Sequence, residues 1–434
     1  MSALADLAQH FRARLVREGD LEPLLPLSRP ALRQAVAARV ARLLAEEQVI
    51  LTRAEQERLS ALICDEAAGY GPLEPLLADP EVTEIMVVAP DEVYAERAGT
   101  IRPADAQFRD AAHIRHIIER IIAPIGRRID ESSPMVDARL PDGSRVNAVI
   151  PPVALNGPVI TIRKFRAVPM GLDDLVACGS LTAAMAVFLR AAVRAKLNIA
   201  ISGGTGSGKT TLLGALASEV PAAERLVTVE DMAELRLARR HVVALEARPA
   251  NAEGRGEITI HQLMRNALRM RPDRIIVGEV RGDEALDMLQ AMNTGHEGSL
   301  TTIHANAAED AFARLEAMVV LSGAPLPVTV IREHLVGALD LVLQTERLSD
   351  GSRKLVAIAE VLGIAEGQIR IRELFHFERL GLESDGRVRG RFIAAGAMPV
   401  CWERLQRLGV APPPEVFGVS GTGDGLVRGE EGSP

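Results

Sequence analysis

The stretch LNIAISGGTGSGKTTLLGALASEV, residues 197–220, decides the fold. An apolar segment runs into a glycine loop ending Gly208-Lys209-Thr210-Thr211, then into a leucine-rich segment of helical character. The spacing Gly203-x-x-x-x-Gly208-Lys209-Thr210 fits the phosphate-binding loop. Glycines there let successive backbone N–H groups turn inward around phosphates at the start of a helix. Bare matches occur by chance in loops; a strand before and a helix after make this one a site. Gly203, Gly204, Thr205, Gly206, Ser207, Gly208, Lys209, Thr210 and Thr211 are therefore expected to hold a nucleotide. Lys209 would bridge the β- and γ-phosphates, and the Thr210 hydroxyl would ligate Mg²⁺.

Working outward, short apolar runs alternate with amphipathic helical segments from about residue 175. The runs are NIAIS, RLVTVED, VVALEA, RIIVGEV and GSLTTIHA. Such alternation predicts an α/β domain with a parallel sheet covered by helices. Strand C-termini face the ligand in sheets of this kind. RLVTVED ends in Glu230 and Asp231, and RPDRIIVGEVRG carries Glu279 after Gly278, where an acid is usual. Either site alone could be a helix N-cap or a solvated charge. Two strand-end acidic sites after a phosphate loop point to magnesium binding and to polarising an attacking water, which is what phosphoryl transfer requires. TGHEGSLTTIHAN places His296 and His304 around a strand. No third ligand lies nearby for zinc, whereas a histidine can hydrogen-bond a γ-phosphate and register its loss.

Before this domain, Leu32, Val36, Val40 and Leu43 recur at helical spacing, and Thr52 with Glu55 forms a capping box ahead of Leu59, Leu62 and Ile63. Residues 1–66 read as a helical extension. Strand-like VTEIMVV and DEVYAER follow, then a helix with Ile114, Ile117, Ile118 and Ile121 on one face, then SRVNAVI and GPVITIRKF. That pattern predicts an α+β domain over 67–165. The Pro/Gly-bearing residues 166–175 read as a hinge, 176–420 as the nucleotide domain and 421–434 as a disordered tail.

The chain has 434 residues, net charge −8 and few aromatics, which disfavours a polyanion-binding surface or a base-stacking platform. Cys64, Cys178 and Cys401 are widely separated and are expected to be buried, reduced thiols. The N-terminus lacks a signal-peptide core and no apolar run could span a bilayer, so a cytoplasmic protein is expected.

The order of phosphate loop, Glu-Asp pair, VGEVRG and GHEGSLTTIHAN resembles the secretion and pilus-assembly traffic ATPases. These are hexameric RecA-like motors of type II secretion, type IV pili and type IV secretion. EVTEIMVVAPDEVYAER, DARLPDGSRVNAVIPPVALNGPVITIRKF and IRELFHFERLG further resemble the CpaF/TadA branch, which powers tight-adherence (Flp) pilus assembly. The resemblance covers about residues 30 to 420. Two departures separate this chain from the type II secretion and type IV pilus motors. Their four-cysteine zinc site is absent, and their histidine box is one residue shorter than the interval from His296 to His304.

The resemblance implies a RecA-like C-terminal domain, a PAS-like N-terminal α+β domain, ATP with Mg²⁺, and a homo-hexamer. It implies partners in an inner-membrane platform that would hold a cytoplasmic motor peripherally at the membrane. Glu230 and Asp231 would act through magnesium-bound water, Glu279 would orient the attacking water, and His304 with His296 would couple phosphate state to movement. Arg145 and Arg163 of the N-terminal domain would reach the γ-phosphate. By strand alternation alone, Arg163 shares a face with Val159, Thr161 and Phe165, an arrangement equally suited to an arginine snorkelling to solvent. A type IV secretion or conjugation ATPase is the first alternative to the pilus motor. A RecA-like nucleic-acid motor is the second, which stimulation by DNA or RNA at low salt would reveal. A non-hydrolysing switch would not need Glu279, and a small-molecule kinase would need an acceptor site that the sequence does not offer.

Overall fold

A computed structural model describes residues 3–97, 99–165, 169–250 and 255–419. The chain divides into two compact units, Met1–Arg166 and Ala167–Pro434. Part of the expected hinge, 166–168, and the whole expected tail, 421–434, lie outside the described residues.

The first unit opens with helices α1 (Ala3–Arg17), α2 (Arg29–Glu46) and α3 (Arg53–Ala68). Phe11, Leu15, Leu32, Val36, Val40, Leu43, Leu59 and Ile63 form their shared core. Helix α3 starts where its capping box requires: Glu55 N–H donates to Thr52 Oγ1 at 3.3 Å, and Thr52 N–H donates to Glu55 Oε2 at 2.8 Å. The short α4 (Glu74–Ala78) leads into β1 (Val82–Ala89), β2 (Glu92–Arg97) and β3 (Thr100–Pro103). Helix α5 (Ala111–Ile122) and strands β4 (Met135–Arg139), β5 (Arg145–Val149) and β6 (Val159–Arg163) complete the unit. The antiparallel sheet runs β3-β2-β1-β6-β5-β4. Ile114, Ile117, Ile118 and Ile121 pack α5 on the face holding Ile160, Ile162, Val146 and Ala148. Alternation therefore sends Arg145 and Arg163 to the other face.

The second unit begins within the expected linker. Helix α6 (Leu172–Ala177) starts at Gly171, whose N–H donates to Asp174 Oδ2 at 2.8 Å, and buries Leu172 and Leu175. Residues 172–175 are thus packed helix rather than hinge. Next come α7 (Ala183–Arg194), β7 (Ile199–Gly203), α8 (Lys209–Ser218), β8 (Leu226–Glu230), β9 (Val242–Glu246), α9 (Ile260–Ala267) and β10 (Arg274–Val280). Helix α10 (Glu284–Asn293), β11 (Leu300–Ile303), α11 (Ala308–Leu321) and α12 (Val328–Ala338) follow. The chain closes with β12 (Leu341–Arg347), β13 (Arg353–Ala365), β14 (Gln368–Leu382), β15 (Val388–Ala394) and α13 (Trp402–Arg407).

The sheet order is β15-β14-β13-β12-β7-β11-β10-β8-β9. It is parallel from β12 through β9 and antiparallel from β12 through β15. Alternate residues of one strand enter different cores: Ile199 and Ile201 pack with α7 and α8, Ala200 with α10 and α11. Both faces are covered, which is why these strands read as continuous apolar runs. The five parallel strands expected from the sequence are present, and β12 adds a sixth. Cys64 is buried and Cys401 half-buried, with burial pushing their thiols up to about 11 and about 12; Cys178, expected inside, is exposed.

Candidate functional site

The glycine loop joins β7 to α8. Gly208 caps the helix at φ +100° and Gly206 turns at φ +71°, both in the left-handed region where a side chain is strained. Gly203 has no room for one either: a Cβ there would lie 2.4 Å from Thr345 Oγ1 and 2.6 Å from Ser207 Oγ. Ser207 Oγ donates to Gly204 O at 2.9 Å and lies 2.9 Å from Thr345 Oγ1. Lys209 is buried, its Nζ donating to Gly203 O and Gly204 O, each at 2.9 Å.

The same sheet edge gathers the predicted histidine and glutamate. His304 follows β11, and its Nε2 lies 3.4 Å from Lys209 Nζ and 3.3 Å from Glu279 Oε1. Burial first, then the Lys209 ammonium, hold the His304 imidazole below its ordinary pKa, against the pull of Glu279. Neutral Nε2 suits the lysine as an acceptor; a protonated ring would suit the glutamate. Glu279 Oε2 accepts from Arg281 Nε at 2.9 Å and from its terminal nitrogen at 2.5 Å. Arg281 also reaches Asp231 Oδ2 at 3.3 Å, so one guanidinium links the ends of β8 and β10.

Glu230 and Asp231 diverge. Asp231 is exposed, whereas Glu230 is buried and its Oε1 accepts from the N–H groups of Glu234 at 2.9 Å and Leu235 at 3.1 Å. Glu230 also explains the glycine before Glu279: a Cβ on Gly278 would sit 2.8 Å from Glu230 Cγ.

His296 lies elsewhere. It precedes β11 whereas His304 follows it, so the strand separates the two histidines. Five residue steps of extended chain, from 299 to 304, span about 16 Å. His296 N–H donates to Ala291 O at 3.3 Å and its carbonyl accepts from Ser299 Oγ at 2.7 Å, contacts at the strand's N-terminal end.

In the first unit, Arg163 and Arg145 are register partners on β6 and β5. Arg139 of β4 pairs with Arg145, and Glu84 of β1 with Arg163. The row Glu84-Arg163-Arg145-Arg139 crosses four strands on the face away from α5. Arg163 is half exposed and its Nε lies 3.9 Å from Glu84 Oε1.

Arg139, Arg281, Thr345, Arg347 and Arg353 carry site geometry and were not singled out from the sequence. For Arg281 a signal existed, two residues beyond Glu279. For Thr345, Arg347 and Arg353 none did, because their relevance depends on how β12 pairs with a strand about 140 residues earlier.

Known proteins match this architecture. Residues 66–379 match the profile of the family described as type II/IV secretion system protein. A Mycobacterium tuberculosis protein provisionally named for conjugal transfer is 42% identical over 326 residues, 74% of this chain and 92% of its own. The type IV secretion system protein VirB11 of Brucella suis is 35% identical over 314 residues, 66% of this chain and 87% of its own. Among solved structures, the ATPase DotB of Yersinia pseudotuberculosis aligns at a TM-score of 0.50 with 19% identity, over 69% of this chain and 80% of that one, a likeness of fold. No helix among the described residues is long and apolar enough to cross a membrane.

Proposed function

The chain belongs to the type II/IV secretion system protein family, and on that premise we propose that it is an ATP-hydrolysing motor of a type IV secretion or conjugation system. Family membership carries the ATPase reading. The names of relatives aligned over most of their length support the conjugation alternative more than the tight-adherence pilus first expected. The motif strings shared with the CpaF/TadA branch keep the pilus as the second reading.

The observation that carries the chemistry is the contact of Lys209, His304 and Glu279 at the strand C-termini. In the proposed mechanism the loop N–H groups of Gly203–Thr211 cradle the phosphates of ATP. Lys209 exchanges the carbonyls of Gly203 and Gly204 for phosphate oxygens, a stronger charge-assisted bond. Glu279, fixed by Arg281, orients the attacking water, and His304 contacts the γ-phosphate region and detects its departure. Arg145 and Arg163 bind the γ-phosphate and draw the first unit to the second; loss of that phosphate releases them. His296, at the other end of β11, has no part in phosphate contact in this scheme.

Thr210 and Asp231 offer hard oxygen donors at the C-terminal edge of the sheet, which fits Mg²⁺. Glu230 Oε1 is committed to two backbone N–H groups, so Glu230 would act by way of bound water. The ion would neutralise charge on the β- and γ-phosphates. The motor would assemble as a homo-hexamer in the cytoplasm against an inner-membrane platform, as the family resemblance implies.

The test is a deletion strain complemented with wild type or Glu279→Gln, scored for DNA or effector transfer and for surface pili. Loss of transfer with pili intact supports the proposal. Loss of pili with transfer intact restores the pilus reading, and full function with Glu279→Gln rejects the motor.

A further inference from the structure

A loop that turns its N–H groups toward phosphates must turn carbonyls the other way, and those need donors. Lys209 serves Gly203 O and Gly204 O, but in the proposed mechanism it leaves them for phosphate. Gly206 O at the loop apex is served differently: Arg353, the first residue of β13, donates to it from Nε at 2.8 Å. The stem of Arg353 lies along the loop, since a Cβ on Gly208 would meet Arg353 Cδ at 3.5 Å. On the neighbouring strand, a terminal nitrogen of Arg347 lies 3.7 Å from where a Gly206 Cβ would stand.

Register explains the placement. Thr345 of β12 pairs with Gly203, the last residue of β7. Strand β12 continues two residues beyond the point where β7 becomes the loop, so its end and the start of β13 flank the apex. Arg347 and Arg353 are direct register partners.

We infer that Arg347 and Arg353 form a cationic brace on the flank of the phosphate loop, with Arg353 as a positioning residue that presents the apex amides to the α- and β-phosphates of a nucleotide. Arg347 adds charge beside the same phosphates. The inference rests on the reading of the loop as an ATP site. Because the loop amides hold α- and β-phosphates, the brace serves nucleoside diphosphate and triphosphate alike. It thereby differs from Arg145 and Arg163, which are assigned to the γ-phosphate.

The test measures binding of fluorescent ADP and ATP, and steady-state hydrolysis, for full-length wild type, Arg353→Ala, Arg353→Lys, Arg347→Gln and Lys209→Ala. Arg353→Ala is expected to weaken both nucleotides roughly tenfold and raise KM for ATP by about as much, while kcat falls less than about threefold. Arg353→Lys recovers only part of the loss, because an ammonium on a shorter reach lacks the fixed planar donor that Arg353 presents to the Gly206 carbonyl. Unchanged ADP binding in Arg353→Ala, or a loss confined to ATP, overturns the brace. If Arg353→Ala melts early in the absence of nucleotide, Arg347→Gln carries the test, and undiminished ADP binding in it overturns the proposal. Lys209→Ala separates the two readings: if it binds nucleotide normally the ATP site itself fails, and if it alone loses binding only the brace fails.

Discussion

His304 Nε2 stands 3.3 Å from Glu279 Oε1, joining the ends of the neighbouring strands β11 and β10. The same nitrogen is 3.4 Å from Lys209 Nζ. One ring nitrogen cannot accept from the lysine and donate to the glutamate at once. The state of Nε2 therefore selects which partner is held: His304 with a bare Nε2 restrains Lys209, and His304 protonated at Nε2 restrains Glu279, with the charged ring also repelling Lys209.

Burial and Lys209 hold His304 below its usual pKa, so the ring stays neutral where an exposed histidine would already be charged. Hydrolysis is expected to stay level as pH drops through about 6.5, the ordinary histidine value. It then falls roughly tenfold per pH unit below the depressed pKa. The unfolded chain takes up this proton first, so native stability also declines as pH falls between those two values. A pH–rate profile of His304→Gln should lack that acid limb; an unchanged limb removes His304 from the cause.

Glu279→Gln keeps the shape of the side chain and removes its charge. Turnover should fall on the order of 10²–10⁴, the usual contribution of a positioned base, while ATP still binds. Single-turnover hydrolysis together with ATP retention on a filter measures both. Turnover within about twofold of wild type would assign the base elsewhere.

Gly278→Ala should be destabilising, because the added methyl meets Glu230 Cγ at 2.8 Å. Overpacking of this kind costs typically about 1–3 kcal/mol. Adding Glu230→Ala should make the penalty of Gly278→Ala smaller, a coupling that thermal unfolding of the four variants reads directly. Strict additivity would show that the two residues do not press on each other.

How far the site was legible in the sequence follows from chain distance. The glycine loop, its strand and its helix are contiguous, so spacing together with the flanking segments was enough to expect the turn from β7 into α8. The capping box at Thr52 and the isoleucine face of α5 were readable for the same reason: the contacts are local. Glu279 and His304 could be named as strand-end residues, but their meeting at Lys209 depends on β11 lying between β7 and β10, an order the sequence does not spell. Periodicity did not separate His296 from His304, because the same short strand fits either reading until its direction is known. The antiparallel extension β13–β15 and the arginines at its start were hidden for a physical reason: they acquire meaning only through pairing with β12 and, through it, β7.

Arg163→Ala should lower turnover on the order of 10³ if the residue acts as an arginine finger. ATP binding should weaken while ADP binding stays within about twofold, because only ATP carries the phosphate assigned to it. Near-normal hydrolysis by assembled Arg163→Ala would withdraw the assignment, and Arg145→Ala provides the parallel measurement on its register partner.

The central claim is that the terminal phosphate of ATP links the two units of each chain. Leu155 in the first unit is 91% exposed and Leu321 in the second 84% exposed, so each accepts a spin label once Cys64, Cys178 and Cys401 are replaced. Pulsed electron–electron distances between Leu155→Cys and Leu321→Cys are expected to be narrow with a non-hydrolysable ATP analogue and to shift or broaden with ADP, a difference that Arg163→Ala removes. Identical distance distributions with the analogue and with ADP would contradict the account.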